Sequence, residues 1–205
     1  LDAGISASGG VSNAGTRTID LGGGDLTITQ TGNSTFGGVI TGAGDFNYSG
    51  GAGAVLSLSS NQTYTGDTNV NAGILSAVGL NNATDLAIAT GATFRTPYAM
   101  TIRSLSGGGT LDLTAPNPSG ADFTINVPTG ISQDFSGIIQ ASSGATNLIK
   151  DGPGTQIFSG ANTYAGETKV DAGTLRVAHN SGLGTTAQET LVKDGAILEL
   201  AGITT

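Results

Sequence analysis

Four aspartates and three cations are the residues of this chain that could support acid–base cleavage of a polysaccharide. Such chemistry needs acidic groups, often with Lys or Arg, gathered in one groove. Other acids lie beside glycine, where turn formation accounts for them. We keep a polysaccharide lyase or hydrolase as the alternative function, with the candidate residues Asp112, Asp122, Asp134 and Asp151 together with Arg95, Arg103 or Lys150.

Other site chemistries find less support in the sequence. The single histidine, His179, could join Ser142 or Ser181 in a Ser-His-Asp arrangement, but no Gly-x-Ser-x-Gly elbow accompanies it. One His and no Cys offer no zinc or copper site. The Gly- and Asp-bearing stretches 22–25 and 42–45 do not repeat at the nine-residue spacing of a calcium solenoid. We therefore predict no catalytic residue, no metal site and no cofactor, and we predict that the chain is not an enzyme.

Composition limits the class of protein and its partners. The 205 residues include 35 Gly, 37% are hydrophobic, only 11% are charged, and the net charge is −8. The apolar fraction is enough for a core and excludes a disordered acidic tail, and the absence of a three-residue glycine period excludes collagen. Negative charge repels phosphates, so we expect no nucleic-acid partner and no anionic membrane surface.

The elements that must position these residues are short strands. Alternate residues are apolar in each of them, so one face is buried and the other meets solvent, and no stretch has a helical period. Many short strands separated by turns are typical of a sandwich, a barrel or a solenoid. Clear examples are residues 26–28, 56–58, 86–88, 111–113, 123–127, 175–177 and 198–200.

An internal repeat decides among these folds. Residues 63–75 reappear at 163–175, an offset of 100 residues. A solenoid repeats in this way because each unit buries its apolar face only by stacking on the next one. The retained positions, which we take as the structural repeat motif, are Tyr64, Gly66, Thr68, Val70, Gly73 and Leu75 in the first copy and Tyr164, Gly166, Thr168, Val170, Gly173 and Leu175 in the second.

Upstream matches extend the repeat and locate an interruption. Residues 36–40 match 135–139, whereas 22–28 match 107–113 at a shorter offset. An insertion near 114–131 accounts for the change of offset, and two prolines within 115–120 interrupt strand pairing there. We therefore predict one solenoid over 1–205 with two related modules, approximately 19–103 and 104–200. With about 20 residues in each rung, meaning one turn of the solenoid, the chain holds on the order of ten rungs.

The segment 160–177 resembles the passenger-associated repeat of autotransporters. That repeat reads roughly as a leucine-rich strand followed by Ser-Gly-x-Asn-Thr-Tyr-x-Gly-x-Thr-x-Val-x-x-Gly-Thr-Leu, and residues 137–139 and 148–155 are similar to its opening. The first copy is looser, with Gln62 where the second has Asn162. The resemblance implies an all-β, right-handed parallel β-helix passenger. It also implies export through the outer membrane of a Gram-negative bacterium by a C-terminal β-barrel translocator in the full-length protein.

These observations together predict a structural or adhesive segment at the bacterial surface or in a secreted passenger. In this family the repeats are linked to export and folding, not to catalysis. A host-cell partner or self-association is expected, with its identity open. We interpret the chain as an excised fragment that is monomeric but able to stack end to end. The C-terminal segment 191–203 contains apolar strand-like stretches, so we predict that this end stacks on another molecule. Leu1–Val11 offers a weak pairing surface, and we expect it to fray or to fold over as a cap.

Overall fold

The computed structural model describes residues 5–7, 17–113, 122–141 and 146–203. These residues form β-strands, turns and bends without a helix. The strands, in chain order, are β1 (Ile5–Ala7), β2 (Thr18–Asp20), β3 (Leu26–Gln30), β4 (Ser34–Phe36), β5 (Val39–Thr41), β6 (Phe46–Gly50), β7 (Val55–Asn61), β8 (Thr68–Ala72), β9 (Ile74–Gly79), β10 (Asp85–Ile88), β11 (Thr93–Arg95), β12 (Met100–Ile102), β13 (Ser104–Gly107), β14 (Thr110–Asp112), β15 (Asp122–Asn126), β16 (Ser132–Phe135), β17 (Ile138–Gln140), β18 (Asn147–Asp151), β19 (Thr155–Phe158), β20 (Thr168–Val170), β21 (Thr174–Val177), β22 (Thr190–Val192) and β23 (Ile197–Leu200).

The strands stack in sheets that run along the molecule. Sheet I has the order β1-β3-β6-β8-β10-β13-β16-β19-β21-β23, sheet II the order β17-β14-β11-β9-β7-β4, and sheet III the order β12-β15-β18-β20-β22, while β2 and β5 form a separate pair. Every pairing except that of β1 with β3 is parallel. The chain thus coils through about eight turns as a parallel β-solenoid, which confirms the predicted fold class.

The core is a set of inward columns, each of which takes one residue from each rung. Alternation along a strand turns every second side chain inward, and parallel in-register pairing places equivalent residues above one another. One column of sheet II is buried from β7 to β17. Its residues, in stacking order, are Leu56, Leu75, Phe94, Leu111 and Ile139. Because each rung covers the apolar face of its neighbour, the core is continuous without a disulfide.

The two copies of the motif lie on different sides of the solenoid. Val70 and Leu75 belong to β8 of sheet I and β9 of sheet II, whereas Val170 and Leu175 belong to β20 of sheet III and β21 of sheet I. All four side chains are fully buried. The local register is therefore retained, but the second motif is turned by one sheet relative to the first.

Part of the segment expected to be an insertion is a regular strand. Residues 122–126 form β15, which pairs with β12 on one side and β18 on the other. Residues 114–121 lie outside the described residues. The module bounds 19–103 and 104–200, the insertion near 114–131 and the right-handed sense of the coil stay predictions.

The first and last rungs differ in the cover they receive. Strand β1 pairs antiparallel with β3 and covers that edge of sheet I. The remainder of Leu1–Val11 lies outside the described residues. At the other end, β22 and β23 are the last strands of sheets III and I. Leu191, Val192, Ile197 and Leu200 there are 42–60% exposed.

Candidate functional site

The repeat motif forms a stacked corner in each copy, and its tyrosine points into the core. Tyr64 and Tyr164 are fully buried, and their hydroxyls are hydrogen-bonded to the Oγ1 atoms of Thr68 and Thr168 at 2.5 and 2.7 Å. Burial raises the pKa of Tyr164 to about 12 and the pKa of Tyr64 still further. Both phenols are therefore neutral, and neither ring is free to stack on a ligand.

The motif glycines allow two rungs to approach closely. A Cβ at Gly166 would lie 1.8 Å from the carbonyl oxygen of Thr146, which is far inside van der Waals contact. Gly173 has φ of 65°, and its Cβ would lie 2.4 Å from the carbonyl oxygen of Gly152. Gly173 thus meets two demands that other residues cannot meet, a left-handed backbone and a close neighbouring backbone.

A side-chain amide before each Thr-Tyr pair continues the hydrogen-bond ladder. The Asn162 Oδ1 accepts a bond from the Ile139 N–H at 2.8 Å, and its Nδ2 donates to the Gly182 carbonyl at 2.7 Å. In the first copy, Gln62 Oε1 accepts from the Ile40 N–H at 2.8 Å. In the sequence, these two positions stand out only as a difference between the copies. Their shared amide immediately before Thr-Tyr was the signal for this role.

Four aspartates stack at one edge of sheet I. The Asp25, Asp45 and Asp67 carboxylates each accept a bond from the backbone N–H of the next acid in the column, at 3.0, 2.8 and 3.3 Å. The column ends at Asp85, which is ion-paired with Arg103. We call this set the acid column. Burial raises the pKa of Asp67, and the Asp85 and Asp45 carboxylates add to the effect.

The second module has a related column on a different edge. The Asn147 Nδ2 donates to the Asp122 carboxylate at 2.9 Å, and Asn147 Oδ1 accepts from the Glu167 N–H at 3.2 Å. Glu167 is ion-paired with Lys169 at 2.8 Å. In both columns, polar side chains at the start of a strand connect one rung to the next. Neither column could be recognised in the sequence, because the members of each are about 20 residues apart.

The candidate catalytic acids do not gather in one groove. Asp112 lies on sheet II, Asp134 on sheet I, and Asp122 and Asp151 on sheet III. Their cations are distributed in the same way. Arg95 pairs with Asp112 at 3.0 Å, Arg103 pairs with Asp85 of the acid column, and Lys150 is buried.

The remaining candidates have local roles or lie outside the described residues. His179 Nδ1 accepts a bond from the Ser181 N–H at 3.0 Å, within one turn. Ser142 lies outside the described residues. Among the residues with assigned positions, no group of three or more His, Cys, Asp or Glu could hold a metal ion. Within the same residues, no helix is long and apolar enough to cross a membrane.

A buried glutamine repairs a gap in sheet I. Strand β16 pairs with β13 only at Phe135 with Gly107, so the backbone of Leu105 lacks a strand neighbour on that side. Gln156, fully buried on β19, reaches across the intervening rung. Its Nε2 donates to the Leu105 carbonyl at 2.8 Å, and its Oε1 accepts from the Leu105 N–H at 3.2 Å. The amide thereby replaces the backbone groups that β16 does not supply.

The fold and these stacked corners define a class of protein, the parallel β-solenoid built from stacked repeats. A family model described as Passenger-associated-transport-repeat matches residues 53–77 and 148–177. The chain is also 35% identical over 201 residues to a protein named Adhesin BmaC autotransporter from Brucella suis biovar 1 (strain 1330). That alignment covers 93% of this chain and 6% of the relative's length. No solved structure matches the chain.

Both matched segments coincide with the stacked corners. The first includes Gly73 and Leu75, and the second extends from Leu148 on β18 to Val177 on β21. The chain thus carries passenger-associated transport repeats and is similar, over most of its own length, to a short part of an autotransporter adhesin.

Proposed function

We propose that this segment is a structural and adhesive part of a passenger that is exported through the outer membrane and stays at the bacterial surface or is secreted. The full-length protein would then carry a C-terminal β-barrel translocator. The repeats would support export and folding, because each new rung finds a finished rung to pair with. The named relative is an adhesin, and this likeness supports an adhesive use of the outer surface.

The observation that carries the proposal is the way the polar side chains are used. Charged and amide groups bond along the rod axis, rung to rung, as in the acid column and in the bond from Asn69 Nδ2 to Asn47 Oδ1 at 3.0 Å. Such ladders stiffen a rod, and Ser, Thr and Asn side chains lie on the outer faces of the described residues. A rod of this kind would display a surface rich in hydroxyl and amide groups and would hold attached domains away from the cell.

Adhesion is tested with beads coated with the 205-residue chain. We expect the beads to bind cultured host cells, or one another, more than beads coated with an albumin of similar charge. In the intact parent protein, deletion of the segment should reduce adhesion while surface exposure is monitored with an antibody to another region. If neither the coated beads nor the deletion changes adhesion, and the passenger still reaches the surface, the adhesive proposal is wrong.

The acid column is the one observation that favours a polysaccharide-cleaving enzyme, because acids on neighbouring rungs are what such a site needs. Against this reading, the three hydrogen-bonded carboxylates each accept a backbone N–H, which gives them a structural use. We expect no release of reducing or unsaturated ends from a panel of acidic and neutral polysaccharides. Product release that is lost in the Asp67→Asn variant, but kept in Asp134→Asn, would instead establish an enzyme.

A further inference from the structure

Two unrelated residues occupy the same register position beneath the motif valines. Tyr48 on β6 pairs with Val70, and Lys150 on β18 pairs with Val170. Both side chains point inward and are fully buried, with at most 1% of their surface exposed. A tyrosine and a lysine share little except a long apolar body with a hydrogen-bond donor at its tip. Their shared position indicates that the corner requires such a donor.

Each donor tip ends among backbone carbonyls at the corner of the solenoid. The Tyr48 hydroxyl donates to the Ala54 carbonyl at 3.0 Å and accepts from Gln30 Nε2 at 3.1 Å. The Lys150 Nζ donates to the carbonyls of Asp151, Gly152 and Ala172 at 2.8, 2.8 and 3.0 Å. Ala172 belongs to the next rung, so the ammonium connects two rungs. Buried carbonyls without a donor are costly, and these two side chains supply one.

We propose that Lys150 is a proton-linked clasp of the second module and that Tyr48 is its proton-independent counterpart in the first. The clasp is independent of whether the surface of the rod is adhesive. Mildly alkaline pH should therefore change the stability contributed by the corner around Lys150 and leave the stability contributed by the corner around Tyr48 unchanged.

The sign of the effect follows from the burial of the ammonium. Removal from water lowers the pKa of Lys150 to about 8, and the Asp151 carboxylate opposes this shift. The nearby Asp171 carboxylate is paired with Lys193 at 2.7 Å. Between about pH 8 and the ordinary lysine pKa near 10.4, the unfolded chain keeps a proton that the folded chain has lost. The stability of the folded state therefore rises with pH across that window.

A lysine side-chain NMR titration tests the proposal directly. The chain has three lysines, Lys150, Lys169 and Lys193, so Lys→Met variants can assign each signal. We expect Lys150 to titrate near pH 8, about two pH units below the ordinary lysine pKa. Lys169 should titrate above its ordinary value, because Glu167 raises its pKa. A Lys150 signal that titrates at the ordinary lysine pKa near 10.4 in the folded chain would overturn the proposal.

Matched variants provide a second measurement, the pH dependence of the unfolding constant, which would not change if Lys150 had only a structural role. Lys150→Met and Tyr48→Phe each remove the donor and keep most of the apolar body. The unfolding constant of the wild type, relative to that of Lys150→Met, should fall up to about tenfold for each pH unit between pH 8 and 10. The ratio of wild type to Tyr48→Phe should stay constant from pH 7 to 9.5. Equal pH dependence of both ratios would contradict the distinction between the two corners.

Discussion

Replacement of Gln156 by Leu gives a sharp test of how sheet I is held together. Gln156 pairs with Leu175 in the register of β19 and β21, and the first copy has Leu56 in the same relation to Leu75. Gln156→Leu therefore introduces the residue that the other copy uses at this place, at a similar volume. From the sequence repeat alone, the substitution would be neutral or stabilising.

The hydrogen bonds of Gln156 lead to the opposite expectation. The variant would leave the Leu105 N–H and C=O unpaired, together with the Gln133 carbonyl that accepts from Nε2 at 3.1 Å. Each buried polar group without a partner costs about 1–3 kcal/mol. Burial of the more apolar Leu side chain offsets part of this cost, so we expect a net loss of about 2–4 kcal/mol in the free energy of unfolding.

Urea unfolding followed by circular dichroism measures the loss, and amide hydrogen exchange localises it. The Leu105 amide should exchange much faster in the variant, because its acceptor is gone. Gln140→Leu is the matched control, since Gln140 lies on the outer side of sheet II and its substitution should change stability by no more than about 0.5 kcal/mol. If Gln156→Leu unfolds at the wild-type urea concentration and keeps Leu105 protected, the repair of the sheet by this amide is refuted.

Four further outcomes follow from the fold. Leu175→Ala should cost about 2–5 kcal/mol, because the side chain is fully buried, and an unchanged urea midpoint would contradict its position. Gly173→Ala should destabilise more than Gly53→Ala, because both have positive φ but only the first would place a Cβ against a neighbouring backbone; equal midpoints would argue against that contact. The raised pKa of Asp67 means that the folded chain binds this proton more tightly than the unfolded chain, so stability should rise as pH falls through that pKa towards the ordinary aspartate value near 3.9, and Asp67→Asn should flatten the pH profile measured by thermal melts. End-to-end stacking through the C-terminal rung should strengthen as salt screens the net charge of −8, and analytical ultracentrifugation should find it weaker in Leu198→Lys; a monomer at every concentration and salt level would refute it.

The fold class could be predicted from the sequence because its physical cause is local and periodic. Alternation of apolar residues defines which side chains face inward, and the copies at 63–75 and 163–175 require a unit that stacks on itself. The same reasoning holds for Gly173, whose left-handed backbone belongs to the motif as a local turn. The resemblance of 160–177 to the passenger-associated repeat added the protein family.

The side of the solenoid on which each motif lies could not be predicted in this way. It depends on how many residues each corner between the two copies uses, and corner lengths have no periodic signal. The shared donor role of Tyr48 and Lys150 could not be predicted for a related reason, because side chains of different chemistry fill the same register position.

The role of Gln156 is the clearest example of what the sequence alone could not predict. It interrupts an apolar pattern, and its partner Leu105 is 51 residues away. A buried amide is stable only where unpaired backbone groups meet it, and no spacing in the chain indicates where such groups lie. The sequence determined by itself that this chain stacks on itself, because strand periodicity is written residue by residue. Only the tertiary structure decided which rungs a polar side chain joins, because that depends on distances between segments far apart in the chain.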